Sequence, residues 1–226
     1  MADTLKTIGS GLDWSALTDI LITVIPALIC ITFHELCHGL VAYRLGDNTA
    51  KDAGRLTLNP IKHIDIMGLL MMIVFKFGWA KPVPVNMNNF KNPKSGMAIT
   101  ALAGPVSNIF LSVVFLFIYG LLYVSLSAAG NFGDILLKML LTAAYLSCAL
   151  AVFNIIPIPP LDGSKVLFSL LPEREYYNLM RYERYGMILL LIIVVTGVLT
   201  SILTTGVGWV FDKLFVIAQW SSSLTV

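Results

Sequence analysis

The stretch ILITVIPALICITFHELCHGLVAY, residues Ile20 to Tyr43, decides the fold. It holds no Lys, Arg or Asp, and it exceeds the roughly 20 apolar residues that a transmembrane helix needs at about 1.5 Å rise each. By the same criterion Met97 to Leu126, Ile135 to Ile158 and Gly186 to Leu203 are spans as well. The whole composition agrees: 57% of the 226 residues are hydrophobic and 12% charged, against about 25% charged in a soluble domain. The expected fold is an all-α polytopic membrane protein of about four transmembrane helices, a single domain over residues 1–226.

Between the first two spans the chain is less regular. Ile66 to Phe77 is apolar but too short to cross and is flanked by basic residues, which suits a re-entrant or surface-lying segment. Gly54-Arg55-Leu56-Thr57-Leu58 alternates like a strand, and the prolines of Lys81-Pro82-Val83-Pro84-Val85-Asn86 suit only an edge strand. β-Hairpin-like membrane-associated segments are therefore expected beside the helices. Gly206 and Gly208 are expected to end the fourth helix, leaving Trp209, Phe211, Leu214 and Trp220 as an interfacial tail, so that residues 186–226 form an additional helix plus anchor. The first 19 residues lack a short apolar core followed by a cleavage site, so no removable signal peptide is expected. Cys30, Cys37 and Cys148 lie in apolar stretches without paired spacing and read as free thiols.

Basic residues orient the bundle. Arg44, Lys51, Arg55, Lys62, Lys76, Lys81, Lys91, Lys94, Lys165, Arg174, Arg181 and Arg184 all fall on one side of the four spans, twelve of the fifteen in the chain. By the positive-inside rule that side is cytoplasmic, most simply at the plasma membrane. The net charge of +2 carries no nucleic-acid reading.

The first span carries three ionisable groups where lipid makes each expensive. His34-Glu35-Leu36-Cys37-His38 is a His-Glu-x-x-His run, and on a helix two histidines four apart project from one face, about one turn apart. That spacing suits two imidazoles on one tetrahedral Zn²⁺, one ion per chain, with Glu35 about 100° around the helix as a general base. A catalytic zinc takes three protein ligands. Asp162 is the candidate for the third, because Pro157, Pro159 and Pro160 stop the third span from continuing as a helix and unwound backbone can carry a carboxylate inward. His63 and Asp65 compete for the role, and Cys30 and Cys37 lie close in sequence.

With these two separated motifs the chain resembles the site-2 protease family, the zinc metalloproteases of regulated intramembrane proteolysis. His34 through His38 look like its zinc-binding helix. Asn154 through Gly163 look like its Asn-x-x-Pro-x-x-x-x-Asp-Gly segment with the spacing retained. Gly54 to Pro60 is similar to its membrane-associated loop, and Ala103 to Asn108 to its middle core helix. The resemblance implies a compact form without PDZ or nucleotide-sensing domain, with a three-helix catalytic core over about residues 20–165. It implies His34, His38 and Asp162 as ligands, Glu35 as base, and Asn154 near the scissile carbonyl. Asn108 is a further substrate or oxyanion candidate, completing a stripe of Gly96, Thr100 and Gly104 that also suits close helix packing.

The expected activity is intramembrane endopeptidase cleavage of a transmembrane protein or peptide, from a site open to the cytoplasm. A helical substrate must be unwound before hydrolysis, so Pro82, Val83, Pro84 and Val85 are candidates to hold it by strand addition. The alternatives are a membrane metal transporter, which leaves Glu35 unexplained, and an inactive scaffold, which predicts loss of part of the site.

Overall fold

The computed structural model describes residues 14–68 and 79–225. Among these the regular structure is helical: α1 (Trp14–Arg44), the short α2 (Thr49–Asp52), α3 (Pro93–Ser127), α4 (Gly130–Asn154), α5 (Asp162–Ser169), α6 (Glu173–Tyr182), α7 (Gly186–Val195) and α8 (Val198–Ser222). Among the described residues four stretches are long and apolar enough to cross a membrane, namely Thr18–Arg44 within α1, all of α3, all of α4, and Leu199–Ser222 within α8. The starts follow from local chemistry. Asn92 caps α3 by accepting from the Ser95 N–H, and Pro93 occupies the first turn, where a missing N–H has no helical partner to lose.

Helix α1 packs against α3 and α4, which pack against each other, and α8 lies on the α3–α4 pair. The polarity is that of a protein in lipid. Val106, Phe110, Ile20 and Trp209 are exposed on the outside of the helices. Thr32, His34, His38, Thr100, Asn108, Ser112 and Ser147 are buried between them. Two of the serine hydroxyls bond across the helices, Ser112 Oγ to the Ala144 carbonyl at 2.8 Å and Ser147 Oγ to the Asn108 carbonyl at 2.9 Å. Lipid competes for no hydrogen bond, so such contacts and close packing hold the bundle.

The fourth span departs from the sequence reading. The apolar run beginning at Gly186 breaks at Gly197, whose φ of 73° is left-handed and terminates α7 after Val195. The spanning helix is α8, which continues through Gly206 and Gly208 and carries Trp209, Phe211, Leu214 and Trp220 within it. The stretch read as an interfacial tail is thus the membrane helix itself. Glycine weakens a helix by only about 1 kcal/mol. Against that, α8 gains a packed seam in which Ala218 meets Leu116 and Ala144, with Phe211, Leu214 and Phe215 beside them.

The strand-like stretches form no ladder among the described residues. Residues 54–58 are turn, bend and coil, and residues 80–86 form no strand: Pro82 and Pro84 bias the residues before them to extended backbone, and the Lys81 N–H donates to the His63 carbonyl at 2.9 Å. Most of the apolar segment Ile66 to Phe77 lies outside the described residues. The extended segment is anchored at one end by the buried carboxylate of Asp47. Its Oδ2 accepts from the Asn86 N–H at 2.7 Å, and its Oδ1 from Asn89 Nδ2 at 2.7 Å and from the Thr49 N–H at 3.1 Å. Burial pushes this carboxyl up, and the bonds from Thr49, Asn86 and Asn89 outweigh it and hold it below its ordinary range.

Candidate metal centre

Helical periodicity places His34 and His38 one turn apart on α1, with their rings 4.5 Å apart edge to face. Both are buried. Opposite them the chain leaves α4 at Asn154, turns through its proline-rich segment and starts α5 at Asp162. The carboxylate of Asp162 arrives with Oδ2 3.1 Å from His34 Nε2 and 3.1 Å from His38 Nε2, while the two Nε2 atoms lie 3.0 Å apart. Three donor atoms therefore face one point, one from each residue, within 4.8 Å of one another. Ligands at the bond lengths of tetrahedral zinc, about 2.0–2.1 Å, sit roughly 3.3 Å apart. The His₂Asp set fits such an ion in size, chemistry and burial.

The surroundings orient these groups. His38 Nδ1 lies 2.7 Å from the carbonyl of Thr100, which can only accept, so Nδ1 carries the proton and Nε2 offers its lone pair. Lys165, one turn along α5, places Nζ 3.8 Å from Asp162 Oδ1 and 3.5 Å from Glu183. Burial pushes the Asp162 carboxyl up, and hydrogen bonds with His34 and His38, aided by the charge of Lys165, outweigh it and hold the group below its ordinary range. Gly104 of α3 lies against both imidazoles. A Cβ there would stand 2.5 Å from His34 Cε1 and would also collide with His38.

A cavity of about 600 Å³ opens beside the three donor residues. Glu35 lines it, and its Oε2 accepts from the Val83 N–H at 2.8 Å, so the extended segment crosses the cavity next to the carboxylate. Asn154 also lines it, with Nδ2 donating to the Leu150 carbonyl at 2.9 Å. Pro82, Val83 and Val85 line the wall, and Pro84 lies between the two valines in the same extended run. Asn108 is elsewhere: it is fully buried, off the cavity wall, with Nδ2 3.3 Å from His34 Nδ1.

The competing ligands point to other partners. His63 Nε2 is 3.0 Å from the Thr57 carbonyl, and Asp65 Oδ1 accepts from the Gly68 N–H at 2.8 Å. Cys30 Sγ contacts the Ala143 carbonyl at 3.4 Å. Sequence reasoning missed Lys165 and read Thr100 and Gly104 as packing. The spacing Thr100-Gly104-Asn108 on one face of α3 held the information, since the helix that this face admits is the one bearing the histidines.

Comparison with known proteins bears on this geometry. Residues 123–200 match peptidase family M50. A protein of Bacillus subtilis (strain 168) named "Putative zinc metalloprotease YwhC" is 40% identical over 174 residues, 76% of this chain and 80% of the relative. Two others share that descriptive name. Rip2 of Mycolicibacterium smegmatis is 29% identical over 82% of this chain and 71% of its own length. MJ0611 of Methanocaldococcus jannaschii is 33% identical over 60% of this chain and 63% of its own length. No solved structure matches.

Proposed function

The chain belongs to peptidase family M50, the site-2 protease family, and is a metallopeptidase of the membrane; from that premise we propose that it is a zinc endopeptidase cleaving peptide bonds in or near transmembrane segments of membrane proteins. The observation that carries this reading is the convergence of His34, His38 and Asp162 Oδ2 in a buried cavity that Glu35 also lines. In this proposal His34, His38 and Asp162 hold the ion. Zinc in such a set supplies Lewis-acid activation of water and carbonyl at neutral pH.

The remaining work falls to the chain. Glu35 takes a proton from the attacking water on a carboxylate oxygen and returns it to the leaving amine nitrogen. In the structure its Oε2 accepts from the Val83 N–H, and Oε1 is the second oxygen available for that proton. We assign that N–H to the substrate backbone in the engaged state, with Pro82 to Val85 holding the unwound peptide extended. Pro82 and Pro84 carry no N–H of their own, which leaves Val83 and Val85 as the donors of this run. Asn154 turns its amide toward the scissile carbonyl, where a donated hydrogen bond strengthens as charge develops on oxygen. Bundle walls exclude bulk water. The concentration of Lys and Arg on the side of residues 44–94 and 165–184 supports a cytoplasmic opening, in a plasma membrane.

The test is purified full-length chain in detergent, with bound zinc measured and cleavage of a panel of single-span substrates followed. Glu35→Gln keeps the zinc and loses cleavage by about 10³-fold or more, as expected when a general base is removed from a metal site. Zinc flux that survives this change, with no proteolysis by the wild type, refutes the reading in favour of a transporter.

A further inference from the structure

Of the three donor residues, His34 alone has a neighbour whose chemistry does not fit a metal-bound state as it stands. Its Nε2 faces His38 and Asp162, so its other nitrogen, Nδ1, faces away into the bundle. There Asn108 Nδ2 lies 3.3 Å from it. An amide N–H donating to Nδ1 leaves the imidazole proton on Nε2, where it meets Asp162 Oδ2 at 3.1 Å. That protonation suits the metal-free chain, where the one Nε2–H bridges His38 Nε2 and Asp162 Oδ2, two acceptors 3.1 Å apart. It is incompatible with a metal on Nε2, because the lone pair is then occupied by a proton. Ligation through Nε2 puts the proton on Nδ1, and Nδ1–H needs an acceptor.

A second observation points to where that acceptor is. Asn108 Oδ1 is fully buried and has no hydrogen-bond partner, although buried polar atoms are nearly always paired. A half-turn of the carboxamide exchanges its oxygen and nitrogen without moving helix α3. It brings Oδ1 onto His34 Nδ1–H. One end of the amide is unpartnered in either setting, so the tautomer of His34 chooses between them.

We infer that Asn108 is a positioning residue for the metal ligand His34, presenting nitrogen to the metal-free imidazole and oxygen to the metal-bound one. His38 has no need of such a device, because the Thr100 carbonyl fixes its proton permanently on Nδ1. The side chain that can serve both tautomers without placing another charge between the spans is a carboxamide, and that explains Asn rather than Asp at 108. The geometry also moves Asn108 from substrate binding to metal binding. This inference rests on the ligand set proposed above.

The experiment measures zinc affinity of the full-length chain in detergent by competition with a chromogenic chelator, so it is read without turnover. Asn108→Leu, similar in size and unable to accept, should weaken zinc by about 10–100-fold, the usual effect of removing a partner behind a ligating histidine. Asn108→Asp, an acceptor in either setting, should bind zinc within a few-fold of wild type or more tightly. His34→Ala is the control for the ligand set. If it keeps full zinc affinity, the ligand assignment itself has failed. If it loses zinc while Asn108→Leu binds within twofold of wild type, the role of Asn108 is overturned and the ligands stand. Equal weakening by Asp and Leu also overturns it, since that pattern is one of packing rather than hydrogen bonding.

Discussion

At the scale of single residues the centre is built as much by what is absent as by its donors. Gly104 has no side chain where His34 and His38 lie against α3. Alanine is the better helix former by about 1 kcal/mol, so on helix propensity alone Gly104→Ala should be harmless. The geometry predicts the opposite, a zinc affinity reduced at least about tenfold because the new methyl displaces both imidazoles. Chelator competition on the purified chain decides it, and wild-type affinity in the variant would show that the rings have room to move. Asp162→Asn is expected to lower zinc affinity by a comparable factor, because it removes the one anionic donor of the set. Retention of stoichiometric zinc at low free metal would count against Asp162 as a ligand.

At the scale of elements, the segment beside the Glu35 carboxylate is held by Asp47 rather than by a sheet. Asp47→Ala frees Asn86 and Asn89. With two or more hydrogen bonds to a charged acceptor lost, destabilisation of about 2–4 kcal/mol is expected, together with a raised KM for single-span substrates. An unchanged melting temperature and KM would remove the anchor from the account. The same carboxylate has a pH signature. Its folded pKa lies below its ordinary value, so the stability it adds is fully present above the unfolded carboxylate pKa of about 3.9 and is lost as pH falls through the lower, folded one. The difference in melting temperature between wild type and Asp47→Asn should hold from pH 7 to pH 5 and shrink below about pH 4. A gap independent of pH would contradict this. Helix α8 offers a simpler check. A Cβ on Gly208 would meet nothing within 4 Å, so Gly208→Ala should be neutral or stabilising by up to about 1 kcal/mol. Marked destabilisation would favour a helix end at that position.

For the whole molecule, the distribution of charge predicts sidedness. A cysteine placed at Ser127, exposed at the end of α3, should react with a membrane-impermeant thiol reagent in intact cells, and one at exposed Lys51 should react only after the membrane is opened. The reverse pattern would invert the topology and place the cavity on the other face. Native Cys30 and Cys148 are buried and give little background, and Cys37 is half-buried.

The sequence by itself determined what depends on local order. Long apolar runs marked three spans within a few residues, because a backbone in lipid must satisfy its own hydrogen bonds and a helix is the local way to do so. The His34–His38 spacing was legible for the same reason, as was the proline-rich stop after Asn154. The fourth span was not, since Gly186 to Leu203 is the more apolar run and α8 owes its place to partners on α3 and α4 that no local pattern announces. Tertiary structure alone brought Asp162 to 3.1 Å from both imidazoles, 128 residues along the chain from His34, set Val83 on Glu35, and turned Asn108 from the cavity toward His34. Those placements depend on which helix faces lie together, a property of the packed bundle that the periodicity of any single helix leaves open.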